Sequence, residues 1–119
     1  MAVLPVRDAQ KSSEFDCGVL DFREVSNLGG KTIFLQAADS TNDHDLGLFT
    51  LGSGAGDSGA GQTSVGLYHL AWEVDTLSEL QRISERLQQV GALSGASDHG
   101  TTKALYARDP DGLEFEVSW

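Results

Sequence analysis

The clearest periodicity along the chain is helical. Leu77, Leu80, Ile83, Leu87 and Val90 recur at spacings of three and four, which puts them on one face of a helix. Thr76 followed by Glu79 has the pattern of a capping box, and Gly91 stands where a C-terminal cap belongs. The spacing therefore predicts a helix from about Thr76 to Val90. Segments on either side alternate with the period of two that marks a strand. In residues 67–74, Tyr68, Leu70, Trp72 and Val74 share one face and His69, Ala71 and Glu73 the other. At the C-terminal end, Leu113, Phe115, Val117 and Trp119 alternate with Glu114, Glu116 and Ser118. A further strand is expected over residues 103–108, with Ala104, Tyr106 and Arg108 on one side. Asp109-Pro110-Asp111-Gly112 separates the last two strands as a tight turn, since proline presets the second turn position.

The first half repeats this order more faintly. Residues 2–6 read as a strand, Asp8 caps a helix reaching about Leu20, and residues 22–25, 31–36 and 46–51 read as three strands. Ser12, Ser13 and Asp16 occupy helix positions where apolar residues would help packing. Val6-Arg7-Asp8 matches Val74-Asp75-Thr76 at an offset of 68, and Lys31 matches Lys103 at an offset of 72. The chain thus reads as an α+β domain of two βαβββ modules forming a curled mixed sheet with helices on the outside. Module one covers about residues 1–51 and module two about residues 66–119, within a single domain. Residues 51–63 are rich in Gly, Ser and Ala and read as a flexible connector. They lack the Gly-Lys-Ser/Thr of a phosphate loop.

Composition narrows the class. A chain of 119 residues with 39% apolar content suffices for one domain with its own core. A formal net charge of -10 argues against a nucleic-acid partner. No apolar run reaches the roughly 18 residues of a membrane span, and the N-terminal residues lack the order of a signal peptide. Cys17 is the one cysteine, so no internal disulfide forms; this fits a cytoplasmic protein. No basic or His neighbour in sequence would activate that thiol, and it reads as a packing residue. Neither a nucleophile elbow nor zinc-type Cys/His spacing is present.

Candidate chemistry lies on the polar strand faces. His69 and Glu116 each sit opposite the apolar residues of their strands. If the apolar faces pack on helices, these two side chains line the inside of the curled sheet. A His and a carboxylate there are candidate ligands for a divalent metal, above all iron(II) in a two-His-one-carboxylate site. On spacing alone, a structural His and a solvated Glu are the commoner explanation. His44 precedes the strand that begins near Leu46, His99 lies in Asp98-His99-Gly100, and Tyr106 is on a strand. On sequence alone, exposed loop histidines and an amphipathic strand tyrosine are the commoner explanation of those positions.

Several motifs together resemble one group of proteins. The duplicated βαβββ order, the strand His69-Leu70-Ala71-Trp72, and the run from Asp109-Pro110-Asp111-Gly112 to Glu116 are similar to the vicinal-oxygen-chelate superfamily. That group includes glyoxalase I, extradiol dioxygenases, fosfomycin-resistance enzymes and bleomycin-binding proteins. Within it, the segment Asn42-Asp43-His44-Asp45-Leu46-Gly47-Leu48-Phe49 resembles the His-His-Asp-Leu-Ala-Leu-Phe segment of single-domain catechol 2,3-dioxygenase-like proteins. Ser97-Asp98-His99-Gly100 resembles their Asp-His-Gly loop, and Tyr106 matches the tyrosine that opens their Tyr-x-x-Asp-Pro-Asp-Gly run.

The resemblance implies an extradiol ring-cleaving dioxygenase that acts on a small catecholic aromatic with Fe(II) and dioxygen. Mn(II) or another divalent metal is the alternative cofactor. His69 and Glu116 fall on two of the three metal ligands. His44 corresponds to the acid/base histidine, and His99 and Tyr106 to hydrogen-bond donors near the substrate. The remaining ligand, a His at the start of the first strand, falls on Met1, so the third protein ligand is not identified. Relatives carry several residues before that strand. The resemblance therefore implies a chain that begins further upstream or a variant lacking one ligand. It also implies a homodimer. Two other activities belong to the same group: a metal-free small-molecule binder of the bleomycin-resistance type, and a metal-dependent lyase, isomerase or thiol transferase. The latter take a ligand from the fourth strand, and residues 46–51 offer no His or carboxylate.

Overall fold

The computed structural model describes every residue from Met1 to Trp119. Its elements run β1 (Ala2–Val6), α1 (Ala9–Leu20), β2 (Arg23–Leu28), β3 (Thr32–Gln36), β4 (Leu46–Thr50), β5 (His69–Glu73), α2 (Leu77–Gln89), β6 (Leu93–Asp98), β7 (Lys103–Arg108) and β8 (Glu114–Ser118). The βαβββ order occurs twice, giving the expected α+β two-module fold. Each module builds its own four-stranded mixed sheet, ordered β1-β4-β3-β2 in the first and β5-β8-β7-β6 in the second. In both, the outer pair is parallel (β1 with β4, β5 with β8) and the other pairings are antiparallel. The chain divides into two compact units, Met1–Gly56 and Asp57–Trp119.

In the second unit, α2 forms where the periodicity demands it. The Thr76 hydroxyl accepts the Glu79 N–H, and the Glu79 carboxylate accepts the Thr76 N–H, which satisfies two otherwise orphaned donors. Just past its last residue stands Gly91, whose φ of 71° lets the Ala92 N–H return to the Leu87 carbonyl. Leu80, Ile83 and Leu87 are buried, and each contributes about 1.5–3 kcal/mol by leaving water. The helix packs on β6 and β7. Leu105, Ala107, Phe115 and Val117 complete this core.

β6 follows from the repeat, but local periodicity does not locate it. Its sequence, Leu-Ser-Gly-Ala-Ser-Asp, is small and polar and has little strand propensity. Pairing with β7 imposes the extended form, with a bulge between Leu93 and Gly95.

In the first unit, α1 begins at Asp8, whose carboxylate accepts the N–H groups of Gln10 and Lys11. It packs on β3, β4 and β2. Its inner face mixes Ala9, Val19 and Leu20 with Ser12, Ser13 and Asp16, all buried. Ser13 resolves its burial by donating to Glu24 Oε2 at 3.0 Å, whereas Ser12 Oγ has no partner. Opposite this helix lie Ile33, Leu35, Leu46 and Leu48, each at most 3% exposed. β2 extends to Leu28, beyond the expected Val25, because a bulge between Glu24 and Ser26 breaks its alternation. No helix is long and apolar enough to cross a membrane.

Candidate functional site

The parallel register of β5 and β8 sets His69 opposite Glu114 and Ala71 opposite Glu116. Phe115 and Val117 are buried in the core, so Glu114 and Glu116 project from the sheet face away from α2. His69 shares that face. Its Nε2 lies 3.7 Å from Glu116 Oε2, and the two side chains are 35% and 23% exposed. That separation admits a single cation bonded to both atoms at about 2.1 Å. An imidazole nitrogen and a carboxylate oxygen also suit iron(II) or another divalent first-row metal. The set is nevertheless two donors. No three His, Cys, Asp or Glu side chains gather around one point. Met1 is 64% exposed at the head of β1, and its thioether is a soft, weak donor for iron(II) beside a nitrogen and a carboxylate.

Tyr106 stands directly across from Glu116 in the β7–β8 pair and is half-buried on the same face. Its hydroxyl lies 3.4 Å from Ser97 Oγ on β6. One face of this sheet therefore carries Ser97, Tyr106, Glu116 and His69, in the order β6, β7, β8, β5. His99 is placed apart from that row, exposed in the turn between β6 and β7. Its N–H bonds the Thr102 carbonyl. A hydrogen bond from the Lys103 ammonium at 2.9 Å, joined by the Gly100 N–H, holds the Asp98 carboxyl below its ordinary value at the base of this turn.

Two residues near His69 were not singled out by the sequence pattern. Glu114 lies beside it in register. Tyr68, which alternation groups with Leu70 and Trp72 on the apolar face, is instead 55% exposed. The strand begins only at His69, so Tyr68 escapes the pleat. The Glu114 carboxylate, as an acceptor for the phenol and by its charge, pushes the Tyr68 phenol up from its ordinary value. The Tyr68 ring meets the His69 ring at 5.3 Å and 68°. Gly61, at φ 81°, lies against the Tyr68 ring: a Cβ there would come within 2.5 Å of Cδ2. Part of the connector is thus folded onto Tyr68.

The turn before β8 is built by Asp109, whose Oδ1 accepts the N–H groups of Asp111 and Leu113. Desolvation outweighs those bonds and raises its carboxyl above the ordinary value.

His44 belongs to the first unit. It precedes β4 in a loop held by Asp45, whose N–H bonds the Leu35 carbonyl at 2.8 Å. Burial pulls the Asp45 carboxyl up, but bonds from the Asn42 side chain, the Ala37 N–H and the Ser40 hydroxyl, with the chain's amino terminus, bring it below its ordinary value. The His44 ring stands edge-to-face with Phe34, centroids 4.9 Å apart. Cys17 is part-buried 3.9 Å from Ser13 Oγ, and burial raises its thiol, which makes it a poor nucleophile.

Against known proteins, the family model for the Glyoxalase/Bleomycin resistance protein/Dioxygenase superfamily matches residues 1–117. The chain belongs to this superfamily. It is 31% identical over 117 residues to the catechol-2,3-dioxygenase of Bacillus subtilis (strain 168); the match covers 98% of this chain and 39% of that protein. The chain therefore spans well under half the length of this curated relative. Among solved structures, it is similar to a glyoxylase/bleomycin resistance protein/dioxygenase domain from Frankia sp. EAN1pec, with 26% identity and a TM-score of 0.77 over 98% of this chain and 92% of that one. The fosfomycin resistance protein FosX of Listeria monocytogenes shares the fold, with 18% identity and a TM-score of 0.70 over 98% of this chain and 87% of that one.

Proposed function

We propose that this protein is an extradiol-type dioxygenase that opens the ring of a small catecholic aromatic, using iron(II) and dioxygen. The observation that carries this reading is the convergence of His69 and Glu116 on one sheet face, 3.7 Å apart. The likeness to a catechol-2,3-dioxygenase supports it. His69 and Glu116 would hold the ion, with Mn(II) or another divalent metal as substitute and water at the positions the protein leaves open. When bound, the metal supplies Lewis-acid polarisation and a template that brings the two reactants together.

The protein's own groups then do the following. Tyr106, with its hydroxyl beside Ser97 Oγ, donates a hydrogen bond to a substrate oxygen and disfavours its reprotonation. His99, carried on the turn at the end of β6, provides a second donor to the substrate. His44 takes the proton from a substrate hydroxyl on its imidazole and returns it later. Tyr68, in edge-to-face contact with the His69 ring, limits its tilt. The protein acts in the cytoplasm as a homodimer.

A metal-free binder is the second reading, favoured by the count of two donors rather than three. Oxygen uptake decides between them. Protein loaded anaerobically with iron(II) is mixed with catechol and air-saturated buffer. The proposal predicts stoichiometric oxygen consumption with a yellow ring-opened product, abolished in Glu116→Ala. Tight catechol binding without oxygen uptake selects the binder.

A further inference from the structure

We infer that Phe34 is a positioning residue for His44, and that the missing side chain of Gly47 makes this possible. The inference rests on the acid/base role proposed for His44.

Phe34 on β3 and Gly47 on β4 are direct cross-strand partners. Their faces follow from the alternation: Ile33, Leu35, Leu46 and Leu48 are buried toward α1, so Phe34, Gly47 and Phe49 occupy the opposite face. A Cβ on Gly47 would lie 3.2 Å from Phe34 Cε1, 3.4 Å from Phe34 Cδ1 and 3.5 Å from Phe49 Cε1. One edge of the Phe34 ring therefore lies over Gly47, close enough that a Cβ there would push the ring by a few tenths of an ångström. Phe49 meets the Phe34 ring at right angles, with centroids 6.1 Å apart.

The ring so fixed is the one that His44 meets at 4.9 Å and 71°. Backbone anchoring alone would not orient the imidazole. The Asp45 bonds fix where the loop runs, but χ1 and χ2 of His44 stay free in a loop whose neighbours Thr41, Asn42 and Asp43 are exposed. An edge-to-face aromatic contact restricts both torsions, contributes without competing for the ring nitrogens, and leaves them available for proton transfer. Phe49 and Gly47 give the arrangement rigidity from β4, so the chain Gly47, Phe34, His44 transmits sheet geometry to a loop side chain. A glycine in the middle of a strand weakens the strand, which is consistent with a specific gain from this close approach.

The test uses Phe34→Leu, which removes the ring; Phe34→Tyr, which keeps it; and Gly47→Ala, which displaces it by a few tenths of an ångström. The first readout needs no activity: NMR of the imidazole ring protons, with His44 assigned by its loss in His44→Gln. The ring current of Phe34 displaces these signals. They are expected to move toward free-imidazole positions in Phe34→Leu, to move partway in Gly47→Ala, and to be restored in Phe34→Tyr. The second readout is turnover of iron-loaded protein on catechol. Phe34→Leu should lower kcat about tenfold with KM changed less than about twofold, as loss of orientation at an acid/base group requires, and Phe34→Tyr should recover it. His44 signals unmoved in folded Phe34→Leu overturn the inference, as does an unchanged kcat in an active enzyme. Absent turnover in the unsubstituted protein sinks the dioxygenase reading instead; the NMR arm then still decides whether Phe34 orients His44.

Discussion

His69 Nε2 and Glu116 Oε2 lie 3.7 Å apart across the parallel β5–β8 pair, on the sheet face that does not pack on α2. Both side chains keep contact with water, at 35% and 23% exposure. A pair screened in this way stabilises a fold by at most about 1 kcal/mol. Substituting Glu116 with Gln in metal-free protein should therefore change stability by less than about 1 kcal/mol. The same substitution should remove most of the thermal stabilisation that a divalent ion gives the parent, since only the folded state holds the ion. Thermal melts with and without iron(II) or Mn(II) measure both effects. A large loss of stability without metal would make the pair a structural contact.

Asp45 provides a pH signature. Its carboxylate gathers the Ala37 N–H and the Ser40 and Asn42 side chains and lies below its ordinary value of 3.8 in the folded state. Because the folded value is the lower one, its stabilisation is complete above about 3.8 and disappears as pH falls through the folded value. Asp45→Ala should lower stability at pH 7 by about 1–2 kcal/mol through lost hydrogen bonds, and should flatten the acid limb of the stability curve. Denaturant melts between pH 2 and 7 would show it, taking about 2 as the acid limit.

Ser12 is 3% exposed and its hydroxyl has no partner. A buried unpaired hydroxyl is a cost, and alanine is also the better helix former. Ser12→Ala should stabilise the first unit by about 1 kcal/mol, seen as a higher denaturant midpoint at constant m value. A destabilised variant would mean that the hydroxyl is satisfied by water.

Gly61 has a φ of 81°, and any Cβ there would clash with the Tyr68 ring at 2.5 Å. Gly61→Ala should cost about 1–2 kcal/mol from backbone strain alone. It should also shift the His69 ring resonances, because Tyr68 contacts that ring at 5.3 Å. Loss of stability without a change at His69 would detach the connector from the site.

The elements legible in the sequence are those whose local preference and tertiary role agree. α2 has both its capping box and its apolar stripe, and the turn at Asp109–Gly112 has its proline and glycine where the geometry needs them. β5, β7 and β8 alternate, which is why the shared face of His69 and Glu116 can be read from spacing. α1 is less legible because Ser12, Ser13 and Asp16 occupy its inner face. β6 is not locally legible, since Leu-Ser-Gly-Ala-Ser-Asp becomes a strand only when β7 pairs with it. The bulge in β2 hides its last residues in the same way. Contacts such as Phe34 with His44, or Gly61 with Tyr68, depend on ring placement and a left-handed backbone that periodicity does not encode.

The most direct measurement is an anaerobic titration of iron(II) into the metal-free protein, read as bound metal per chain, for the parent, His69→Ala and Glu116→Ala. The account predicts about one ion per chain in the parent and a loss of affinity of at least about tenfold to a hundredfold in each variant, the range seen when a metal site loses a supporting group. A parent that binds no iron, or variants that bind it as well as the parent does, would contradict the assignment of His69 and Glu116 as the metal-holding pair.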